Sequence, residues 1–318
     1  MKKALSLVLA LTMVMALCAF TPAAFADDSF NVGICQLVQH PALDEATKGF
    51  IDALNEKLPG QVTIDNQNAS NDIPMCSTIV NQFVSAEDDL IMCNATPALQ
   101  AAAAATTTIP VLGTSVTEYG VALGIKDFNG TVGGNISGTS DLAPLDQQAA
   151  MVKELFPDAT KVGLIYCSAE ANSKYQVDVV KAELEKLGCT ATLYPFSDSN
   201  DLAAVTEKAV ADSDVIYVPT DNTVAANTGI IDNICRPAGI PVVAGEEGIC
   251  AGCGVATLSI SYYDLGVTTG KMAIRILKGE ADVSEMPIEY FEGPVKKFEA
   301  ARCEALGITI PEGFEAIA

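Results

Sequence analysis

The sequence alternates short apolar runs with amphipathic stretches, and this order occurs twice. Residues 30–70 and 160–200 each contain an apolar run that opens on Val-Gly, a polar turn, a stretch with helical spacing and a second apolar run. Short apolar runs predict buried strands, and helical stretches between them predict the crossover units of a parallel sheet. The sequence therefore predicts two α/β halves of similar topology.

The same patterns place the remaining elements. In the first half they predict strands at 31–38, 61–67, 89–94 and 109–114 and helices at 42–57, 73–85 and 97–105. In the second half they predict strands at 161–167, 190–195, 213–218, 240–243 and 255–259 and helices at 144–155, 173–187, 201–211 and 222–236. A helix from Tyr262 to Lys278 and a short strand from Pro287 to Phe291 follow. The glycine-rich residues 120–138 show no helical spacing and predict turns.

These elements predict two Rossmann-like parallel-sheet lobes joined by a hinge that the chain crosses two or three times. We expect residues 30–139 with about 261–285 in the N-terminal lobe, and residues 140–260 with about 286–318 in the C-terminal lobe. Ligands of open α/β sheets bind beyond the carboxyl ends of the strands, so a ligand is expected between the lobes.

Residues 1–26 have the pattern of a secretory signal peptide. Lys2 and Lys3 precede an apolar run over 4–20, and Ala24-Phe25-Ala26 supplies the small residues of a cleavage site. A membrane anchor is the alternative, but the run is short for a span and ends in cleavage chemistry. Lipidation of Cys18 stays open. We expect an exported protein, in the periplasm or on the outer face of the cell membrane.

Composition excludes several classes of function. The chain carries 40 acidic and 18 basic residues, a net charge of −22, which repels phosphate backbones and argues against nucleic-acid binding. The chain contains a single histidine and no Gly-x-Ser-x-Gly, which argues against a hydrolytic triad. We expect no enzyme, cofactor or metal site. For Cys250-Ala-Gly-Cys253 we expect a loop disulfide, involving Cys235 or not, rather than a metal or redox site.

Six short segments resemble the substrate-binding proteins of bacterial ABC transporters, in particular the tryptophan/tyrosine type with a type I periplasmic-binding fold. They are residues 36–44 (QLVQHPALD), 95–98 (ATPA), 168–173 (SAEANS), 218–223 (VPTDNT), 244–247 (AGEE) and 261–266 (SYYDLG). The resemblance implies a monomeric binding protein that closes on a small ligand, an aromatic or other hydrophobic amino acid, and delivers it to an ABC permease. An extracellular sensor or a sugar receptor of the same fold is the alternative, although the absence of tryptophan disfavours a sugar site.

Polar residues after the predicted strands are the candidate ligand contacts. An amino acid brings a carboxylate and an ammonium that both lose water in a closed cleft, so each needs a partner. For the carboxylate we expect Thr96, Thr114 and Ser115, with helix capping as the alternative for Thr96. For the ammonium we expect Asp221, Glu170 or Glu246, with capping of helix 222–236 as the alternative for Asp221. The further candidates for lining the cleft are Gln36, His40, Asn172, Ser173 and Asn222.

Overall fold

The computed structural model describes residues 29–291 and 293–317. The predicted signal peptide lies outside the described residues. Among the residues described, no helix combines the length and the apolar character that crossing a membrane requires.

The first lobe is built mainly from the first half of the chain. Its strands are β1 (Phe30–Gln36), β2 (Val62–Asn68), β3 (Leu90–Asn94), β4 (Val111–Val116) and β5 (Ile136–Ser140). Its helices are α1 (Pro41–Lys57), α2 (Ile73–Ser85), α3 (Thr96–Ala105) and α4 (Tyr119–Leu123).

The second lobe repeats the alternation. Its strands are β6 (Lys161–Cys167), β7 (Thr190–Phe196), β8 (Val215–Val218), β9 (Val242–Ala244) and β10 (Ala256–Ser259). Its helices are α5 (Leu145–Leu155), α6 (Ala171–Lys186), α7 (Leu202–Asp212), α8 (Asn222–Ala225), α9 (Thr228–Cys235) and α10 (Glu247–Cys253). The chain ends with α11 (Tyr262–Leu277), a short 3₁₀ turn (Val283–Glu285), β11 (Glu289–Tyr290), β12 (Val295–Phe298), α12 (Ala300–Ala305) and β13 (Glu315–Ala316).

The first five strands of the two lobes follow the same order. The first has the strand order β11-β5-β4-β3-β1-β2, and the second has the order β13-β12-β10-β9-β8-β6-β7. Within each, the first strand of the lobe pairs with the second on one side and the third on the other, all parallel, which creates a topological switch point. Only the β10–β12 pair is antiparallel among the described strand pairs. The predicted pair of parallel-sheet lobes is confirmed.

The chain passes between the sheets three times in the described residues. The passages lie between β5 and α5, between β10 and α11, and between β11 and β12. The lobe bounds predicted from the sequence stay a proposal. Glu289 of β11 pairs with Thr139 of β5, so β11 belongs to the first sheet. This favours a last passage after Tyr290, whereas the lobe bounds predicted from the sequence place it near residue 286.

Two helices of the first lobe pack through glycines. In α11, a Cβ at Gly266 would lie 1.9 Å from the carbonyl oxygen of Ala46, and in α1 a Cβ at Gly49 would lie 2.1 Å from the carbonyl oxygen of Tyr263. Such contacts are impossible for any side chain, so glycine is what allows α1 and α11 to approach this closely. The contact joins the α11 segment to the first lobe.

We expect Gly266→Ala to lower the free energy of unfolding by about 1–3 kcal/mol, because the helices must separate to admit the methyl group. Gly229→Ala is the matched control: Gly229 is also helical, but nothing lies within 4 Å of the added Cβ. That variant should be stabilised by about 0.5–1 kcal/mol, since alanine favours helix. Urea unfolding of both variants measures the difference. Equal destabilisation would contradict the packing argument.

The expectation of a loop disulfide is wrong for the structure. Cys250 and Cys253 both lie in helix α10 rather than in a loop, and both are buried. The Cys253 thiol instead donates to the carbonyl oxygen of Ile249. The cysteines in the described residues are free thiols, and burial raises the pKa of Cys235 to about 12, so it is an unreactive, small apolar side chain.

Candidate functional site

Residues that follow strands of both sheets meet at the seam between the lobes: His40 and Asn71, after β1 and β2, contact Asn222 and Thr223, after β8. On the first lobe, Asp141 follows β5, Ser115 lies near the end of β4, and Thr96 and His40 follow β3 and β1. The strands lie side by side in that order, so the four residues do too. Each of the four side chains is buried and has one polar atom without a hydrogen-bond partner. Buried polar atoms are normally paired, so this row of unpaired atoms marks a place where a ligand can supply partners.

Helix α3 begins at the end of β3 without a side-chain cap. Ala95, the residue before the helix, has a φ of 92°, and Pro97 occupies the first turn. The Thr96 hydroxyl lies in the first turn and has no partner, so the expectation that Thr96 caps the helix is not met. Pro97 has no N–H, and the first intrahelical bond runs from the Leu99 amide to the Ala95 carbonyl. The amides of Thr96 and Ala98 therefore have no acceptor inside the helix, and together with the free hydroxyl they suit a carboxylate.

Ser115 and Thr114 differ in what their hydroxyls contact. The pairing of β4 with β5 shifts register between Gly113 and Val116, and Ser115 within the shift has a φ of 53°. Its hydroxyl is buried and unpaired, whereas the Thr114 hydroxyl lies 3.2 Å from that of Thr139. Ser115 therefore has a free donor near Thr96, and Thr114 is committed to the interior of its own lobe.

Asp141 is the acid that the sequence analysis missed. It directly follows β5, and its Oδ2 accepts a hydrogen bond of 2.9 Å from the Tyr262 hydroxyl. Its Oδ1 is buried without a partner, and burial raises the pKa of its carboxyl group above the usual value. The signal that could have found it is the acid at the end of a strand, but β5 was concealed by the glycine-rich stretch.

Glu170 of the second lobe is fully occupied by its own lobe. Its Oε1 accepts from the backbone and hydroxyl of Thr223, and its Oε2 accepts from the backbone and side chain of Asn222 and from Asn172 Nδ2. These five donors fix the start of helix α8 relative to the loop after β6. The carboxylate thus acts as an anchor for Asn222 and Thr223.

Asp221 and Glu246 both cap short helices. Asp221 accepts from the amides of Cys167 (2.6 Å) and Val224 (2.9 Å). Glu246 accepts from the amides of Gly248 (2.6 Å) and Ile249 (2.5 Å). Burial raises the pKa of Asp221 to about 8, with a further rise from Glu170, and burial raises that of Glu246 to about 7. Their predicted contact with a ligand stays a prediction.

Asn172 and Ser173 lie at the start of helix α6, on the second-lobe side of the seam. Asn172 Nδ2 donates to the Thr220 carbonyl (3.1 Å) and to the Ser173 hydroxyl (3.3 Å). The Asn172 Oδ1 atom is buried and unpaired, so this residue presents a free acceptor. Ser173 is completely buried.

Two hydrogen bonds cross directly from lobe to lobe at the β1 end of the seam. His40 Nε2 lies 3.2 Å from Asn222 Oδ1, and Asn71 Nδ2 donates to the Thr223 hydroxyl oxygen at 3.1 Å. Burial lowers the pKa of His40, which keeps the ring neutral at neutral pH. A cavity of about 100 Å³ adjoins these contacts and is lined from both lobes. Its lining is mixed: the apolar residues include Leu37, Ile73, Pro97 and Ala169, and the polar ones are Asn71, Glu170, Ser197, Asp198 and Thr223.

Gln36 faces helix α1 rather than the second lobe. Its Nε2 donates to the Val38 carbonyl and to Asp44 Oδ1, and its Oε1 accepts from the Thr47 hydroxyl. With these bonds made, the side chain holds α1 against the end of β1. In the part of the chain that the structure describes, no group of three or more His, Cys, Asp or Glu side chains is placed to hold a metal ion.

The raised pKa of Glu246 makes a testable contribution to stability. Between about pH 7 and the ordinary value of 4.5, the folded protein holds a proton that the unfolded chain has released. This contribution therefore grows as the pH falls, by about 2 kcal/mol between pH 7.5 and pH 5. We expect Glu246→Gln to lose it, while the exposed control Glu207→Gln follows the wild type. Parallel stability curves for wild type and Glu246→Gln would contradict the assignment.

Comparison with known proteins decides the family. Residues 31–318 match the profile of the family described as ABC transporter substrate binding protein. The chain belongs to this family. The resemblance found in the sequence is thereby confirmed, and the protein is the substrate-binding component of an ABC transporter, a class that binds small ligands outside the cytoplasm and works with ABC permeases.

This substrate-binding protein has relatives with known ligands. It is 40% identical over 261 residues to a tyrosine-binding protein of Clostridioides difficile (strain R20291), covering 81% of this chain and 75% of the relative. It is 34% identical to a solved ABC domain from Streptococcus pneumonia in complex with L-Trp, with a TM-score of 0.86 over 91% of this chain and 100% of that one.

The lobes of this substrate-binding protein are in direct contact with each other. A ligand-free, open structure of a substrate binding protein with adhesive properties from Clostridium difficile is 37% identical, and covers 91% of this chain and 99% of its own. Its TM-score is 0.69, lower than the 0.86 of the less identical L-Trp complex. The structure thus superposes less well on the open relative than on the L-Trp complex, although the open relative is more similar in sequence. The two hydrogen bonds across the seam agree with a closed form.

Proposed function

We propose that the protein captures a free α-amino acid with an aromatic side chain in the cleft between its lobes. The observation that carries this proposal is the row of unpaired buried atoms on the first lobe. Asp141, an acid with a free oxygen, follows β5. Ser115 lies in the neighbouring strand β4, and Thr96 follows β3, the next strand of the sheet. An α-amino acid has its ammonium and carboxylate on one carbon, so adjacent acid and hydroxyl partners suit it.

In this arrangement the ligand ammonium donates to Asp141 Oδ1. The ligand carboxylate accepts from the hydroxyls of Thr96 and Ser115 and from the first turn of α3. Both charged groups lose water on closure, so the partners must replace it. Closure is then favoured by ligand, because contacts from both lobes exist only in the closed state.

The side chain would extend toward β1. Three strand spacings of about 4.8 Å separate β5 from β1, roughly 14 Å in all. An aromatic amino acid with a hydrogen bond of about 3 Å at each end matches that span. The apolar residues Leu37, Pro97 and Ala169 line the cavity at this end of the seam, beside polar residues. The tyrosine-binding relative and the L-Trp complex support an aromatic ligand.

We further propose that the protein is exported through its signal peptide and delivers its ligand to the permease as a monomer. The charged, apolar and small-residue pattern of residues 1–26 supports export. A thermal-shift screen of the twenty amino acids, nucleosides and sugars on ligand-free protein tests the ligand class. We expect tyrosine, tryptophan or both to raise the melting temperature, by the equivalent of about 2.7 kcal/mol at one hundred times the dissociation constant. A shift with a sugar alone would replace the proposal with a sugar receptor.

A further inference from the structure

The hydrogen-bond directions around His40 follow from Glu170. A carboxylate oxygen only accepts, and Glu170 Oε2 lies 2.7 Å from Asn222 Nδ2, so this amide presents its NH₂ to Glu170 and its Oδ1 to the opposite side. Asn222 Oδ1 is therefore an acceptor, and the His40 Nε2 that lies 3.2 Å from it must carry the proton. The chain from Glu170 through Asn222 fixes the tautomer of the histidine.

The second nitrogen of His40 then has a lone pair and no proton, because burial keeps the ring neutral. This Nδ1 atom is buried and has no hydrogen-bond partner, and the side chain as a whole is 7% exposed. An unpaired buried acceptor costs free energy, and only a donor can satisfy it. None of the side chains described around it supplies one.

We infer that His40 Nδ1 accepts a hydrogen bond from the far end of the ligand side chain, so that the protein selects aromatic amino acids that carry a side-chain donor. The phenol O–H of tyrosine and the indole N–H of tryptophan are such donors, and phenylalanine has none. His40 lies at the β1 end of the row, the end opposite to Asp141, where the side chain of the ligand would reach. The inference rests on the proposed function and adds the selectivity to it.

Asn222 and Glu170 are positioning residues in this scheme. Neither has a free polar atom directed to a ligand, since the Asn222 oxygen contacts His40 and the Glu170 oxygens contact helix α8. Because Asn222 belongs to the second lobe and His40 to the first, the tautomer is set only when the lobes close. Selectivity for a donor would thus act at the closure step.

Calorimetry with L-tyrosine and L-phenylalanine tests the inference. We expect the wild type to bind tyrosine about 10- to 100-fold more tightly than phenylalanine. In His40→Gln the side-chain amide can still donate to Asn222 from the position of Nε2, but the acceptor at the position of Nδ1 is lost. The tyrosine-to-phenylalanine ratio should fall close to one, through weaker tyrosine binding, while phenylalanine binding stays within about threefold.

Asn71→Ala is the matched control, because it removes the other hydrogen bond between the lobes and leaves His40 untouched. It should weaken both ligands together and keep the ratio. Equal wild-type affinities, or a ratio that survives in His40→Gln, would overturn the inference while leaving an aromatic amino-acid receptor in place. A ratio lost equally in Asn71→Ala would also overturn the inference, because selectivity would then come from closure in general and not from His40. Failure of both ligands to bind would overturn the inference together with the proposed function.

Discussion

Asp141→Asn should bind L-tyrosine or L-tryptophan on the order of a hundredfold or more weakly than the wild type, because it leaves a buried ammonium without its counter-charge. Asparagine has the same shape and can still accept from the Tyr262 hydroxyl, which limits damage to the fold. Calorimetry measures the affinity, and thermal unfolding of the ligand-free variant checks the fold.

A deaminated ligand completes the comparison. 3-(4-Hydroxyphenyl)propionate lacks the ammonium, so it should bind the wild type far more weakly than tyrosine and should lose little further affinity in Asp141→Asn.

Asp221→Asn distinguishes the two candidate acids, since both Asp221 oxygens already accept backbone hydrogen bonds. We expect it to lower stability more than affinity. The reverse outcome, with Asp221 needed for binding and Asp141 not, would restore the expectation drawn from the sequence.

Removal of the ligand carboxylate should have a comparable effect. Tyramine keeps the ring and the ammonium of tyrosine, but it leaves the hydroxyls of Thr96 and Ser115 and the start of α3 without the anion that they suit. We expect an affinity loss on the order of a hundredfold, since charge-assisted hydrogen bonds are worth about 1.5–3 kcal/mol each.

The protein side of this contact can be tested separately. The double variant Thr96→Val with Ser115→Ala should weaken tyrosine binding by about ten- to a hundredfold. It should also reduce the ratio by which tyrosine binds more tightly than tyramine. Thr114→Val provides the contrast, because the Thr114 hydroxyl contacts Thr139 within its own lobe. That change should lower the free energy of unfolding, and the preference for tyrosine over tyramine should stay unchanged. A double variant with an unchanged preference would place the carboxylate elsewhere.

The repeated α/β units were predictable because the first strand of each contains a glycine that allows close packing. A Cβ at Gly33 would lie 2.5 Å from the Phe83 ring, and one at Gly163 would lie 2.6 Å from the Ser213 hydroxyl. In each lobe the first strand passes beneath a side chain from the segment that leads to the third strand. The Val-Gly pair that opens each copy therefore reflects close packing, and the strand periodicity around it was sufficient to place the sheet.

Short or interrupted elements were not predictable. Helix α4 contains five residues, too few for a helical period; the Glu118 side chain caps its start, and it ends at Gly124 with a φ of 65°. The predicted helix 222–236 is divided instead into α8 and α9, where the Asn227 side chain donates to the Thr223 carbonyl. These local side-chain contacts decide where the helices begin and end, and the spacing of apolar residues does not show them.

The site was partly predictable for a similar reason. The position of polar residues after strands identified the edge, because that follows from topology alone. Which atom of each residue is free depends on hydrogen bonds made by neighbours from other elements, such as the backbone amides that occupy Asp221 and the donors that occupy Glu170. Asp141 was missed because β5 follows residues without a strand pattern.

Emission of bound tryptophan tests the central claim most directly. The chain contains no tryptophan, so indole emission excited selectively in the complex comes from the ligand. Entry of L-tryptophan into a closed cleft that excludes water should shift its emission to the blue and saturate with protein concentration, and excess L-tyrosine should reverse the shift by competition. A spectrum identical to that of free tryptophan at high protein concentration, with no heat of binding for tyrosine, would contradict the assignment of an aromatic amino acid to the cleft.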